Sequence, residues 1–359
     1  MSKVSKRNEL TLKEVVDLIL NVGETVTVLV QGHMGTGKST ILEMLGEARP
    51  DAYTCYFDCT TADVGDMAGP KYSTINGMDV LSFVPNENLG MHLNKPVILM
   101  FDEFAKGPLP VQRASRRVML ERKNGVHALP KGSIVFATTN LALEGVGDLL
   151  PAHARNAICV VTLGKPTAMS WVEDYAIQKA LHPVVIGTAI EYPSMFESFE
   201  DVEDPNSNPY IFHPKQARAA FVTPRSLRMA SDVMYATEGM SNNVRLHALS
   251  GVIGEAAAAV MMTISNLNDD TPAWEAVIAN PSVAPLPKSG VSSCMLVTKA
   301  AMRVERATFD AWMTYMLRLP KEVQALFAKT IMRSTNKGLA ATHQAYTDWT
   351  QANMWVFEV

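Results

Sequence analysis

The sequence predicts an α/β protein: a parallel five-stranded sheet flanked by helices, followed by a mainly helical remainder. Three observations carry this. Over the first 165 residues, short β-branched or apolar runs alternate with amphipathic helical patterns, which is how parallel strands and their crossover helices follow one another. A glycine-rich turn, GHMGTGKS at 32–39, stands between one such run and one such helical pattern. Past about residue 165 the strand-like runs fade and apolar residues recur at helical spacing.

The elements follow in order. Thr11 and Glu14 form a capping-box pattern, and Leu12, Val15, Val16 and Ile19 then share one face of a helix that ends near Gly23. TVTVLVQ (25–31) is the kind of β-branched run buried in parallel sheets. STILEMLGEA continues the glycine turn as a helix, and DAYTCYFDC is the second strand. KPVILMFDEF (95–104), SIVFATTN (133–140) and AICVVTL (157–163) supply the other three. GVIGEAAAAVMMTIS (251–265) contains Glu255 and is too short to cross a bilayer, so it reads as a buried helix with methionines as core filler. FESFEDVEDPNSNP (196–209) reads as an exposed acidic loop, and NPSVAPLPKSG (280–290) as a linker. Val323, Leu326, Phe327 and Ile331 mark a further helix. The expected divisions are an α/β core at 1–165, a helical region at 166–280 and a helical C-terminal extension at 281–359.

Composition narrows the function classes. A chain of 359 residues, 47% hydrophobic and 19% charged, is ordinary for a globular protein with a sizeable core. A formal net charge of -4 argues against nucleic-acid binding by the whole surface, while leaving room for a local basic patch. Cys55, Cys59, Cys159 and Cys294 show neither disulfide density nor zinc-ligand spacing, which points to a reducing compartment. The N-terminal MSKVSKRNEL lacks an apolar signal core. The expectation is a cytoplasmic protein without membrane insertion.

Gly32, His33, Met34, Gly35, Thr36, Gly37, Lys38 and Ser39 satisfy G-x-x-x-x-G-K-[ST]. In that pattern the glycines let backbone N–H groups turn towards phosphate oxygens, the lysine reaches the terminal phosphates, and the serine hydroxyl enters a Mg²⁺ shell. Thr40 follows at the start of the helix. A chance match on a surface loop would not need the flanking strand and helix that this turn has. Asp102 and Glu103 come directly after the apolar run VILMF. A strand-end aspartate there can hold Mg²⁺, and its neighbouring glutamate can polarise an attacking water. Asn140 closes a further strand, where its amide could orient that water or touch a γ-phosphate, or be simply a turn residue.

Taken in order, the glycine turn, FDEF, ATTN and FVTPRSLRMAS (221–231) resemble the AAA+ ATPases, and more narrowly the MoxR-like branch, which is related to the dynein-type group. The match runs through roughly the first two-thirds of the chain. LERKNGVHALP looks like that branch's short hairpin before sensor 1, and DVGDMAGPKYSTINGMDVLSFVPNENLG stands where the branch carries an insert in its second helix. The resemblance implies ATP and Mg²⁺ as ligands and a ring, usually a hexamer, with ATP between subunits. It implies that Ser39 and Asp102 serve the metal, that Asn140 is sensor 1, and that Arg225 is the sensor 2 arginine reaching the γ-phosphate from the lid. It also implies a partner with a von Willebrand factor A domain and a protein client. One position departs: the arginine finger of the pattern falls on Ala157, so Arg155 is the nearest candidate, with Arg116 or Arg117 as substitutes.

Other features carry less. Arg113, Arg116, Arg117, Arg122 and Lys123 form a basic cluster without interleaved aromatics, which fits a solvated or subunit-facing helix better than a single-strand track. The eight histidines have no metal-ligand spacing, and no G-x-S-x-G elbow is present. Three functions therefore compete: a ring ATPase that remodels a protein client, a nucleic-acid motor or loader, and an ATP-gated interaction protein with little turnover.

Overall fold

The computed structural model describes residues 9–141, 156–202, 204, 206–216, 218–267 and 271–357. The chain divides into two compact units, Met1–Lys165 and Pro166–Val359.

The first unit is built on a sheet whose strands run β1 (Glu9–Leu10), β10 (Cys159–Leu163), β2 (Val28–Gly32), β9 (Ile134–Asn140), β6 (Val97–Asp102) and β3 (Tyr53–Asp58). Every pairing is parallel. All five expected strands are present, and the count is corrected to six by β1. That strand is two residues long and, among the described residues, pairs with β10 at the sheet's edge, so it is too short to show a period in sequence. β6 and β9 are buried at every position, as central strands covered on both faces must be. Along β2, β6 and β9 the side chains alternate between two cores. Leu29, Leu99, Phe101, Val135 and Ala137 pack with Val111, Val118 and Met119 of α3 (Leu109–Glu121). Val28, Val30, Ile98, Met100 and Phe136 pack with Val15 and Ile19 of α1 (Leu12–Val22) and with Ile41 and Leu45 of α2 (Thr40–Ala48). α1 starts with the expected capping box, in which Thr11 Oγ1 accepts from Glu14 N and Glu14 accepts from Thr11 N.

Two hairpins leave this sheet. Residues 63–90 form a long antiparallel one, β4 (Ala68–Ile75) and β5 (Met78–Pro85), turning at Asn76 and Gly77 with φ of 52° and 80°. Paired left-handed residues are what a two-residue I′ turn demands. β7 (Lys123–Asn124) and β8 (His127–Ala128) form the short hairpin before β9. The two are tied together: Asn124 Nδ2 donates to Met67 O at 2.7 Å, and the His127 ring lies 2.9 Å from Phe83 O.

Arg122 is half-buried and turned into the fold rather than standing with the basic surface cluster. It ends α3 in the left-handed region, φ 58°. Its guanidinium donates to Thr27 Oγ1 (2.8 Å), to Gly23 O (2.9 Å) and to Met119 O. Burial lowers its pKa. Arg117, by contrast, pairs with Glu121 at 3.1 Å on the exposed side of the helix.

The second unit is helical and holds two apolar clusters. One is centred on Trp171, Val185, Leu227, Ile253 and Met261, the other on Trp312, Tyr315, Phe327, Ile331 and Trp349. Helix Gly290–Arg303 serves both, placing Met295 in the first and Leu296 and Val297 in the second. The expected linker at 280–290 is packed instead: Ala284 is buried, Tyr315 Oη donates to Pro285 O, and Arg318 donates to Pro281 O. Part of the acidic stretch is also anchored, by buried Phe196 and Asn208. Met261 and Met262 are core, as expected. No helix among the described residues is long and apolar enough to cross a membrane.

His182 precedes helix Pro183–Glu191; its Nδ1 accepts from Val184 N and its ring meets Tyr235 edge-on. Burial, with smaller contributions from Lys299 and Arg245, lowers its pKa to about 4.

Two predictions follow from these contacts. Arg122→Ala removes a charged donor from buried carbonyl oxygens and lowers stability by ~1.5–3 kcal/mol, read from the urea transition, whereas Arg113→Ala on the exposed face moves it by less than ~0.5 kcal/mol. The fold disfavours protonated His182, so stability is lost as pH falls from the ordinary histidine value of 6.5 towards about 4. The full effect is as much as ~3 kcal/mol. His182→Asn keeps an acceptor at the helix start and flattens this dependence when urea midpoints at pH 7.5 and pH 5 are compared.

Candidate functional site

The glycine turn joins β2 to α2, the strand–turn–helix setting that a phosphate loop requires. Gly35 and Gly37 lie at φ 72° and 98°, a region where a Cβ is strained. Thr36 Oγ1 closes the loop by donating to His33 O at 2.8 Å, and Thr40 N donates to Gly37 O at 2.9 Å to begin the helix. Gly32 sits tight against β10, where a Cβ would meet Leu163 O at 3.0 Å. Ser39 precedes α2 and its hydroxyl makes no capping bond to that helix. Met34 lies in the same turn between His33 and Gly35.

Lys38 is 6% exposed and lies inside the loop. Its ammonium donates to Gly32 O, His33 O and Asn140 Oδ1 at 2.8, 2.8 and 2.7 Å. The last contact joins two residues 102 apart in sequence. Strand register explains it: β2 pairs in parallel with β9, and Gly32 lies opposite Asn140.

One strand further along, Asp102 closes β6. The residue is 9% exposed. It accepts from Tyr56 Oη at 2.9 Å, from Glu103 N at 3.0 Å and from Thr138 Oγ1. The two hydroxyls come from β3 on one side and β9 on the other and the amide from the next residue, so a buried carboxylate is satisfied by neutral groups. Cys59 N donates to Asp102 O, and burial beside Asp58 and Asp102 pushes the Cys59 thiol up to about 12.

Glu103 follows in the left-handed conformation, φ 50° and ψ 37°, uncommon for a residue with a side chain. Its carboxylate lies 3.1 Å from Lys106 Nζ. Thr139 Oγ1, in the same strand end as Asn140, is buried with no hydrogen-bond partner among the described residues.

These residues fit Mg²⁺ and a nucleoside triphosphate. The loop offers left-handed glycines and a lysine at a helix N-terminus, the donor set of a phosphate site. Asp102 and Ser39 offer the hard oxygen ligands that Mg²⁺ takes. The orphaned Thr139 hydroxyl leaves a polar group at the strand end that a ligand or water can complete.

Strand pairing thus brings Lys38 and Asn140 together, with Asp102 and Glu103 at the end of the adjacent strand. Arg225 stands in the second unit, exposed in the first turn of helix Pro224–Ala236, behind a Thr223–Ser226 capping box. Arg155 lies outside the described residues. Sequence reasoning missed Tyr56, Thr138 and Lys106. The first two need strand register to be placed beside Asp102. Lys106 was within reach as the oppositely charged residue three positions after Glu103.

No protein-family model matches the chain, and no curated protein matches it. Solved structures give distant likenesses. The Holliday junction branch migration motor RuvB of Thermotoga maritima matches at 12% identity and a TM-score of 0.33, over 94% of this chain and 86% of that one. Two of its single-substitution mutants match at 11% and 13% identity with TM-scores of 0.33 and 0.35. At such scores the likeness carries no inference about what this chain does.

Proposed function

We propose that the chain is a Mg²⁺-dependent ATPase of the AAA+ class, acting as a ring that remodels or matures a protein client. One observation carries the proposal. A buried lysine in a glycine turn, a strand-end amide bonded to it, and a strand-end Asp-Glu pair stand together on three adjacent parallel strands. That set serves phosphoryl transfer to water, which asks for positioning and charge stabilisation rather than covalent chemistry.

The residues divide the work. Lys38 exchanges its bonds to loop carbonyls for the terminal phosphates, while the amides of residues 35–40 cradle the others. Ser39 and Asp102 would hold Mg²⁺, which when bound neutralises charge on the phosphate oxygens. Tyr56 and Thr138 keep the Asp102 carboxylate oriented for that task. Glu103 takes a proton from the attacking water. Asn140 orients that water or the γ-phosphate, and its bond to Lys38 keeps both in register. Arg155, supplied by a neighbouring subunit, and Arg225 keep the finger and sensor 2 roles that the resemblance to MoxR-like proteins implies. We assign 166–280 as the lid and 281–359 as a helical extension, in a hexamer working with a von Willebrand factor A domain partner in the cytoplasm.

The nucleic-acid motor loses support from the basic cluster. Arg122 is used inside the fold and Arg117 is paired with Glu121, so fewer cations remain to track a phosphate backbone.

The test is ATP turnover per subunit with Mg²⁺ across a wide range of protein concentration. Lys38→Ala loses nucleotide binding. Glu103→Gln binds ATP but falls at least ~100-fold in kcat, the scale of a lost general base. Specific activity rises with concentration and Arg155→Ala abolishes the rise. Binding without turnover at any concentration makes the chain an ATP-gated interaction protein instead, and absence of ATP binding removes the cradle reading altogether.

A further inference from the structure

The turn that follows the acidic pair is closed by hydrogen bonds on both sides, and it holds a cation against Glu103. Residues Phe104–Lys106 make a single tight helical turn, closed by Lys106 N donating to Glu103 O at 2.9 Å. Phe104 is fully buried beneath it. Gln112 of α3 clamps the far side, its Nε2 donating to Ala105 O at 3.2 Å and Gly107 O at 2.8 Å. Gly107 lies so close to the neighbouring chain that a Cβ there would meet Cys59 O at 2.8 Å. The backbone carrying Lys106 is therefore fixed relative to Asp102, whose carbonyl accepts from Cys59 N.

On this fixed turn Lys106 Nζ lies 3.1 Å from Glu103 Oε2. The contact is an ion pair rather than an aligned hydrogen bond, since Oε2 is buried and has no hydrogen-bond partner among the described residues. The left-handed backbone of Glu103 aims its side chain back over the turn that follows it. While Oε2 is buried against the ammonium it does not meet water, which a general base must reach directly.

We propose that Lys106 is a positioning residue that holds the Glu103 carboxylate in a resting arrangement, which must be released before Glu103 can activate water. The proposal rests on Glu103 being the general base of the ATPase proposed above. The Lys106 and Glu103 side chains are 37% and 25% exposed, so the pairing is weak enough to be broken in each turnover and strong enough to slow it. Partly exposed pairs of this kind shift an equilibrium by about two- to fivefold.

The experiment compares kcat and KM of the full chain at one protein concentration for wild type, Lys106→Gln and Lys106→Arg, each with and without Glu103→Gln. Equilibrium binding of a fluorescent ATP analogue is measured alongside. Lys106→Gln should raise kcat about two- to fivefold, with KM and analogue affinity unmoved. Lys106→Arg keeps a cation and stays below Lys106→Gln. In the Glu103→Gln background, removing Lys106 changes nothing. If Glu103→Gln is inactive and Lys106→Gln is no faster than wild type, the latch is wrong while the base assignment stands. If Glu103→Gln turns over like wild type, the base assignment fails and the latch with it. A wild type that binds the analogue silently still decides the matter: turnover appearing in Lys106→Gln supports the latch, and silence there overturns it. A parallel loss of kcat, affinity and thermal midpoint in Lys106→Gln would mark a structural lysine and overturn it as well.

Discussion

The parallel pairing of β9 with β2 on one side and β6 on the other is the constraint on which the first unit depends. Parallel strands in register end together, so the residues closing β2, β9 and β6 must share one edge. Below that edge the strands are buried on both faces and almost wholly apolar. At the edge the chemistry changes within one residue of each strand: Gly32 opens the loop, Thr138 to Asn140 become polar, and Asp102 ends the apolar run. A lysine and an aspartate buried there would each be expensive if left to themselves. Lys38 is met by three neutral oxygens and Asp102 by three donors. None of these bonds joins one charge to the other. That leaves the ammonium able to exchange its carbonyl partners for phosphate, and the carboxylate able to face a cation.

α3 extends this order away from the edge. Its first turn is fastened by Gln112 to the turn after Glu103, and its last residue is followed by Arg122, fastened to Gly23 and Thr27 below the sheet. The short hairpin grows directly from that end and is bonded through Asn124 and His127 to the base and far strand of the long hairpin. The acidic pair, α3 and both hairpins form one continuous run of packed or hydrogen-bonded groups. The long hairpin exposes Tyr72, Met78 and Leu81, side chains that bury themselves only when something else covers them.

What the sequence disclosed and what it hid follow from the same physics. Strands buried on both faces are runs of apolar residues, and VILMF or IVFA cannot easily be anything else once turns flank them. A phosphate loop is legible because its backbone needs glycine at particular places. Side-chain partners across strands are another matter. Tyr56 and Thr138 acquire meaning only once register sets Asp58 opposite Asp102 and Phe101 opposite Ala137. Residues 63–90 carried a readable sign in Asn76-Gly77, but the mixed polarity of the strands around it obscured the hairpin. Arg122 looked like one more surface cation because its left-handed backbone, which turns it inward, leaves no trace in composition. The proline-rich stretch at 280–290 looked like a linker for the converse reason. Prolines that stop helices also offer carbonyls, and Tyr315 and Arg318 use them.

The helical unit limits how any movement within it can be delivered. Helix Gly290–Arg303 contributes Met295 to one cluster and Leu296 and Val297 to the next, so neighbouring residues of one rigid rod are embedded in both. Arg333 reaches from the second cluster to pair with Glu173 in the first. Packed interiors transmit displacement rather than absorb it. A shift of the helices around Leu227 and Ile253 must therefore carry the C-terminal helices with it, unless the rod bends or its own core opens. Bending would sacrifice helical hydrogen bonds, and opening would expose Trp312, Tyr315 and Phe327, all fully buried. Both cost more than moving as a body. Residues 166–280 and 281–359 are for that reason packed as one piece, with the Gly290–Arg303 helix shared between both cores.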